Sequence, residues 1–226
     1  MRPSAFVFDA YGTLFDVAAA ARQAAAEPGA GALAEIWPAL AEDWRRKQLE
    51  YSWLRAIMGA HCDFAEVTAN ALDWALEARG LGAEHGLRAR LLALYDELAA
   101  YPEVPEVLAR LRDKGARRAI LSNGSPAMLA SAMAAAGIGG LIEAAISVEE
   151  VGVFKPDARV YALVEAQLGL PPAQVMFVSS NGWDVAGAAR FGFQTAWVNR
   201  TGLPVDRLPH GPRHILRDLT PLPDFL

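Results

Sequence analysis

Five short apolar runs are spaced along this chain, separated by stretches with helical pattern, and that alternation narrows the possible folds more than any other feature. They are residues 4–10 (SAFVFDA), 117–123 (RRAILSN), 144–148 (AAISV), 174–180 (QVMFVSS) and 194–199 (QTAWVN). Several are apolar almost throughout rather than at alternate positions, as in strands of a parallel sheet covered on both faces. The stretches VPEVLARLRDKG, SPAMLASAMAAAGI, DARVYALVEAQLGL and WDVAGAARFG read as helices, the first with Gly115 as its stop. This order predicts an α/β fold with a doubly wound, Rossmann-like parallel sheet, whose ligands bind beyond the carboxyl ends of the strands.

Polar residues collect at those ends. Asp9 closes the first run, Ser122 and Asn123 the second, and Ser179, Ser180 and Asn181 the fourth. Three strands therefore deliver polar groups toward one crevice. Residues 17–98 break the alternation: ALAEIWPALAEDWRRKQLEYSWLRAIM and FAEVTANALDWALEARG are long helical patterns with no good strand. We read 17–98 as a helical cap inserted after the first strand, leaving 1–16 and 99–226 as the catalytic core. The Ala-rich start of that insertion predicts a helix and a loop around residues 28–31 rather than disorder. No internal repeat is evident.

A chain of 226 residues that is 53% hydrophobic can bury a sizeable core, as one large domain or a domain with an insertion. A net charge of -5, with both signs mixed along the chain, argues against nucleic acid as the main partner. The one cysteine, Cys62, excludes an intramolecular disulfide and a multi-cysteine zinc site; with its neighbour His61 it reads as structural. Pro3 and Asp9 interrupt anything resembling a signal h-region, and no run approaches the roughly 18 apolar residues of a membrane span. The expected setting is a reducing cytoplasm, with no membrane partner.

Asp9 is the pointed residue, because a carboxylate at the end of a buried strand is costly unless paired or used. It reads either as a turn-capping acid or as a nucleophile. Lys155, just before Pro156, reads as a loop lysine or as a cation that keeps Asp9 ionised. Arg45 shares one helical face with Leu49 and Trp53, either snorkelling along an apolar stripe or held in it as a functional cation. Ser122 is a capping serine or an anion-binding hydroxyl, and Thr13 bonds Asp9 or caps the turn. Tyr161 fits a core position, and Asp184 fits the first turn of a helix.

The segments DAYGTLFD, LSNGSP, FKPDARVY and FVSSNGWD resemble the four motifs of the haloacid dehalogenase superfamily, and in detail its L-2-haloacid dehalogenase branch. WRRKQLEYSWLR is similar to the cap helix of that branch, so the likeness spans nearly the whole chain. The resemblance implies Asp9 as nucleophile, Arg45 as halide acceptor helped by Asn123 and the ring edge of Trp183, and Ser122 as a binder of the substrate carboxylate. Thr13, Lys155, Tyr161, Ser179 and Asn181 would complete the catalytic set, with Tyr161 near Lys155 and Asp9, and Ser179 and Asn181 orienting the lysine and the substrate. Asp184 would position or deprotonate water. Ala10, Tyr11, Leu49, Phe64, Lys155, Asn181 and Trp183 would line the pocket.

Superfamily phosphatases carry an aspartate two residues after the nucleophile and acids in the fourth motif that hold magnesium. Here Tyr11 and the serines 179 and 180 stand at those places, so the resemblance implies no metal and no cofactor. The implied reaction converts a small L-2-haloacid and water into a D-2-hydroxy acid through an ester on Asp9. Two rivals are a magnesium-dependent phosphatase of the same superfamily and a non-catalytic protein that binds small carboxylates. A homodimer is a family-level expectation. Arg46 departs from the glutamine common in related enzymes, and its longer cation is expected to bear on which substrate chains fit.

Overall fold

The computed structural model describes residues 2–31 and 33–226. Its centre is a parallel sheet built from β1 (Ala5–Phe8), β2 (Arg117–Ser122), β3 (Ala144–Ser147), β4 (Val175–Ser179), β5 (Gln194–Val198) and β6 (His214–Leu216). The strand order is β3-β2-β1-β4-β5-β6, so the winding reverses between β1 and β4. Phe8, the last residue of β1, registers with Ile120 on one side and Val178 on the other. All four β1 side chains are fully buried, which is what continuous apolar runs in a doubly covered sheet require.

The five anticipated runs all form strands, each one to three residues shorter than the apolar run that signals it. The lost residues sit mainly at the carboxyl ends, where the chain leaves the ladder to present Asp9, Asn123 and Ser180. The sixth strand was not anticipated. It has three residues in a tail rich in proline and arginine and sits at the sheet edge with its central side chain exposed, so no apolar run marks it.

The helices are α1 (Ala19–Ala25), α2 (Leu33–Met58), α3 (Phe64–Ala78), α4 (His85–Asp96), α5 (Val104–Asp113), α6 (Pro126–Ala135), α7 (Ala158–Leu168) and α8 (Gly182–Phe191). The first four follow one another directly after β1, with no strand between them. Asp63 starts α3 and Asp157 starts α7 by accepting backbone N–H bonds from Ala65 (2.7 Å) and Arg159 (2.9 Å).

The long helix α2 is read by its four-residue spacing. Leu40, Trp44, Gln48 and Ser52 form one buried stripe, facing α3, where the Trp44 indole donates to the Thr68 carbonyl at 2.9 Å. The adjacent stripe, Arg45, Leu49 and Trp53, turns toward the carboxyl end of the sheet. Trp53 meets Trp183 of α8 edge to face, with ring centroids 5.4 Å apart. Among the described residues no helix is long and apolar enough to cross a membrane.

The core is continuous from the sheet into these helices. Leu108 of α5 is fully buried and far from the polar crevice. Leu108→Ala should therefore lower the unfolding free energy by about 2–5 kcal/mol with little change in activity. A shifted urea midpoint at unchanged slope checks it.

Candidate active site

Asp9 leaves β1 with its backbone N–H still donating to Val178 of β4, at 2.9 Å. The chain then turns sharply: the N–H groups of Thr13, Leu14 and Phe15 all donate to the carbonyl of the buried Ala10 (3.2, 2.9 and 3.1 Å). This turn brings the Thr13 hydroxyl back to Asp9 Oδ2, to which it donates at 3.0 Å while accepting the Ser180 N–H at 2.8 Å. Asn181 Nδ2 donates to the same oxygen at 2.9 Å, and the Ser179 hydroxyl lies 3.4 Å from it. Thus Oδ2 carries the polar contacts from β4, while Oδ1 meets Lys155.

Lys155 is the hinge of the cluster. Only 1% exposed, its ammonium donates to Asp9 Oδ1 at 3.2 Å and to Asp184 Oδ2 at 2.9 Å. Its own N–H donates to Asn123 Oδ1 at 3.0 Å, which ties its segment to the end of β2. Burial alone would push the lysine pKa down, but the Asp184 and Asp9 carboxylates outweigh it and hold the pKa above its usual value. Asp184 is fully buried in the first turn of α8, and burial pushes its pKa up, to about 6, against the opposing pull of Lys155. The Tyr161 hydroxyl donates to Asp184 Oδ1 at 2.7 Å. Burial and the neighbouring Asp184 carboxylate raise the Tyr161 pKa well above its ordinary value, so the phenol stays a donor.

On the other side stands Arg45. Its guanidinium donates to Gln48 Oε1 (2.8 Å), to the Tyr11 carbonyl (3.2 Å) and, more loosely, to Asn181 Oδ1 (3.4 Å). Asp9, Tyr11, Arg45, Leu49, Phe64, Ser122, Asn123, Lys155, Asn181 and Trp183 line one small pocket with about 10 Å³ of free volume. Tyr11 stacks on Tyr95 of α4, with centroids 5.5 Å apart, and tilts against Phe64 at 6.1 Å. Burial, then the nearby Tyr95, Asp96 and Asp9, raises the Tyr11 pKa well above its ordinary value, so Tyr11 walls the cavity as a neutral ring. Ser122 Oγ accepts the Gly124 N–H at 3.0 Å, leaving its hydroxyl proton available to a ligand.

The structure thus brings the sequence-predicted residues into one cluster, with changes of partner. Tyr161 reaches Asp184 rather than Lys155 or Asp9, because α8 carries Asp184 between them. Ser179 and Asn181 bond to Asp9 rather than to the lysine. Arg45 meets Gln48, Tyr11 and Asn181, while the Asn123 carbonyl oxygen accepts from Lys155. Arg46 points outward to Asp43 (3.0 Å) and Glu50 (3.6 Å), over the ring of Trp74, and does not line the cavity. On α2 it is one residue past Arg45 and therefore about 100° around the helix. His61 pairs with Glu149 at 3.1 Å and packs on Phe154.

Sequence reasoning missed Gln48, which accepts from Arg45, its own partners Thr68 and Tyr95, and Arg200, which donates to the Thr13 carbonyl at 3.1 Å. Only Gln48 left a readable signal, since residues three apart on a helix are neighbours. Magnesium does not suit this donor set. Asp9 and Asp184 are already bridged by an ammonium, and among the described residues no three His, Cys, Asp or Glu side chains are placed to hold a metal.

These features define a doubly wound α/β protein with a lysine-bridged pair of buried aspartates at the carboxyl edge of its sheet, roofed by helices inserted after β1. A haloacid dehalogenase-like hydrolase family profile matches residues 3–192. The chain belongs to the haloacid dehalogenase-like hydrolase family. It is 44% identical over 222 residues to (S)-2-haloacid dehalogenase 1 of Pseudomonas sp. (strain CBS-3), covering 98% of this chain and 96% of that one. It is 48% identical over 197 residues to the (S)-2-haloacid dehalogenase of Xanthobacter autotrophicus, covering 87% and 75% respectively. The crystal structure of an L-2-haloacid dehalogenase from Xanthobacter autotrophicus with chloropropionic acid covalently bound superposes with a TM-score of 0.86, at 40% identity, over 98% of this chain and 97% of that one. A dehalogenase structure with an intermediate complex superposes with a TM-score of 0.94, at 40% identity, over 100% and 97%.

One contact makes the cluster sensitive to a single methyl group. Gly187 of α8 lies so close to α7 that a Cβ there would come 2.5 Å from the Tyr161 hydroxyl and 2.8 Å from Pro156, beside Lys155. Gly187→Ala should cost about 1–3 kcal/mol of stability by overpacking and displace Tyr161 from Asp184. A lowered urea midpoint together with reduced activity is the expected result.

Proposed function

We propose that this protein hydrolyses small L-2-haloacids to D-2-hydroxy acids through an ester on Asp9, with inversion at Cα. The observation that carries this reading is the pairing across one small pocket: a buried, lysine-paired Asp9 on one wall and Arg45, whose acceptors are all neutral, on another. The relatives named (S)-2-haloacid dehalogenase support it over nearly the full length of the chain. Residues 17–98, as a cap, supply Arg45, Leu49 and Phe64 to the cavity, and the core supplies the rest.

Asp9 Oδ1 is the attacking atom in this mechanism, since its contact is Lys155 alone while Oδ2 is held from β4 and Thr13. The Lys155 ammonium, 3.2 Å from Oδ1, holds that oxygen in place for attack on carbon. The substrate carboxylate meets the Ser122 hydroxyl, and Tyr11, Leu49, Phe64 and Trp183 wall the alkyl part. The Cα–halogen bond breaks as the Oδ1–Cα bond forms, and halide leaves toward Arg45, Asn123 and the Trp183 edge. Enclosure excludes bulk water from the nucleophile during this step.

In the second step water attacks the Asp9 carboxyl carbon, giving up its proton to Asp184. Oδ2, now the ester carbonyl oxygen, takes on negative charge while Thr13, Asn181 and Ser179 donate to it. The Oδ1–carbonyl bond then breaks, Asp184 returns its proton to the departing Oδ1, the D-hydroxy acid leaves, and the second water proton is released to solvent as the Asp9 carboxylate is regenerated. Tyr161 fixes the orientation of Asp184. Neither step calls for a metal or cofactor. Exposed Leu54, Ile57 and Met58 at the end of α2 support a homodimer, and the single free cysteine suits a cytoplasmic setting.

The route of oxygen tests the covalent step. In a single turnover with enzyme in excess in 18-O water, the hydroxy acid should be mostly unlabelled and the label should lie in the peptide containing Asp9. Labelled product from the first turnover, with an unlabelled peptide, would mean that water attacks Cα directly.

The acid limb of the rate follows from Asp184. A base with its pKa raised to about 6 is ionised above that pH and protonated below it. Because burial opposes ionisation, hydrolysis of the ester should reach its plateau above pH 6 and fall tenfold per unit well below it. Asp184→Asn should remove both the limb and most of the turnover, with ester accumulating on Asp9. A flat profile between pH 5 and 7 would remove Asp184 from the role of base.

A further inference from the structure

Arg45 is fixed without being neutralised. Its acceptors are the Gln48 side-chain amide, the Tyr11 backbone carbonyl and the Asn181 amide, none of them charged. The closest is Gln48 Oε1 at 2.8 Å, and Gln48 is only 1% exposed, on the buried stripe of α2. A polar side chain on an apolar stripe has to satisfy its amide within the protein.

The surroundings also settle which way that amide faces. Gln48 Nε2 lies 2.8 Å from Thr68 Oγ1 and 3.0 Å from the Tyr95 hydroxyl. Thr68 already donates its one hydroxyl proton to the Phe64 carbonyl, at 2.7 Å, so toward Gln48 it can only accept. The NH2 end must therefore face Thr68, and the oxygen must face Arg45. Tyr95 in turn stacks on Tyr11, so the same network reaches the ring that walls the cavity.

We infer that Gln48 is the positioning residue of the halide cation: its buried amide holds the guanidinium of Arg45 in place while leaving its full charge to the departing halide. This rests on the dehalogenase reading above. A glutamate at this position would fit the same space and hold Arg45 as firmly, but its carboxylate would take up the charge that the halide needs. A methionine of similar size would release Arg45 without altering charge. A residue that merely fills the space between α2 and α3 would not distinguish these two replacements in halide binding.

The test compares wild type, Gln48→Glu and Gln48→Met on L-2-chloropropionate and L-2-bromopropionate, with added bromide as inhibitor and circular dichroism as the check on folding. For Gln48→Glu we expect kcat on the chloro substrate to fall about tenfold or more, with a smaller fall on the bromo substrate, and inhibition by bromide to weaken in parallel. For Gln48→Met the expected loss is smaller, about threefold, in both kcat and bromide inhibition. Substrate KM should stay within about twofold for both, since the carboxylate and alkyl contacts are untouched. Equal behaviour of the two variants, or bromide inhibition within about twofold of wild type in Gln48→Glu, overturns the proposal. Should Gln48→Glu not fold, Gln48→Met with unchanged bromide inhibition overturns it just as well. Failure of the wild type to release halide would instead overturn the dehalogenase reading, and would be seen before any variant is made.

Discussion

Everything in the site hangs on one ammonium group placed between two carboxylates. An ammonium or a carboxylate with almost no exposure would cost several kcal/mol to bury alone as a charged group. Lys155 makes the arrangement tolerable by touching both Asp9 and Asp184, and it leaves the trio one negative charge in excess. Arg45, across the cavity, restores neutrality. An incoming carboxylate upsets that balance, and in the proposed reaction the halide takes the excess negative charge toward Arg45. In that reaction the excess negative charge moves along the same line on which bonds are exchanged.

The fold keeps this arrangement in register through its backbone rather than through long side chains. Asp9 remains bonded to Val178 of β4, Ser180 is bonded through its N–H to Thr13, and Lys155 is bonded through its N–H to Asn123. Three strand ends are thereby stitched together on either side of the place where the sheet reverses its winding. Preorganisation of this kind holds donors where charge develops, so little reorganisation is needed during reaction.

Much of this was legible beforehand, and the limits are physical. The strands announced themselves because burial on both faces demands apolar residues at nearly every position, and the crevice announced itself because polar residues interrupt those runs at one end. Contacts across the chain were another matter. Nothing local in residues 9, 155 and 184 says that they meet, and the motif resemblance supplied that grouping. The partner of Tyr161 depends on the close approach of α7 and α8 at Gly187, a packing detail without a sequence signature. Gln48 was overlooked for a related reason: its spacing from Arg45 was readable, but a polar residue on an apolar stripe reads as an interruption until its partners on α3 and α4 are seen. β6 was lost because three residues at a half-exposed edge carry too little apolar pattern to register.

Arg45 and Arg46 are consecutive residues with the same side chain, yet one faces the pocket beside Asp9 and the other faces solvent between Asp43 and Glu50. Helical geometry alone makes that division. For anyone reshaping this protein, the outer position is a handle. Charge, labels or attachment chemistry can be varied there on the very helix that carries Arg45, with the turn of the helix serving as insulation between the two.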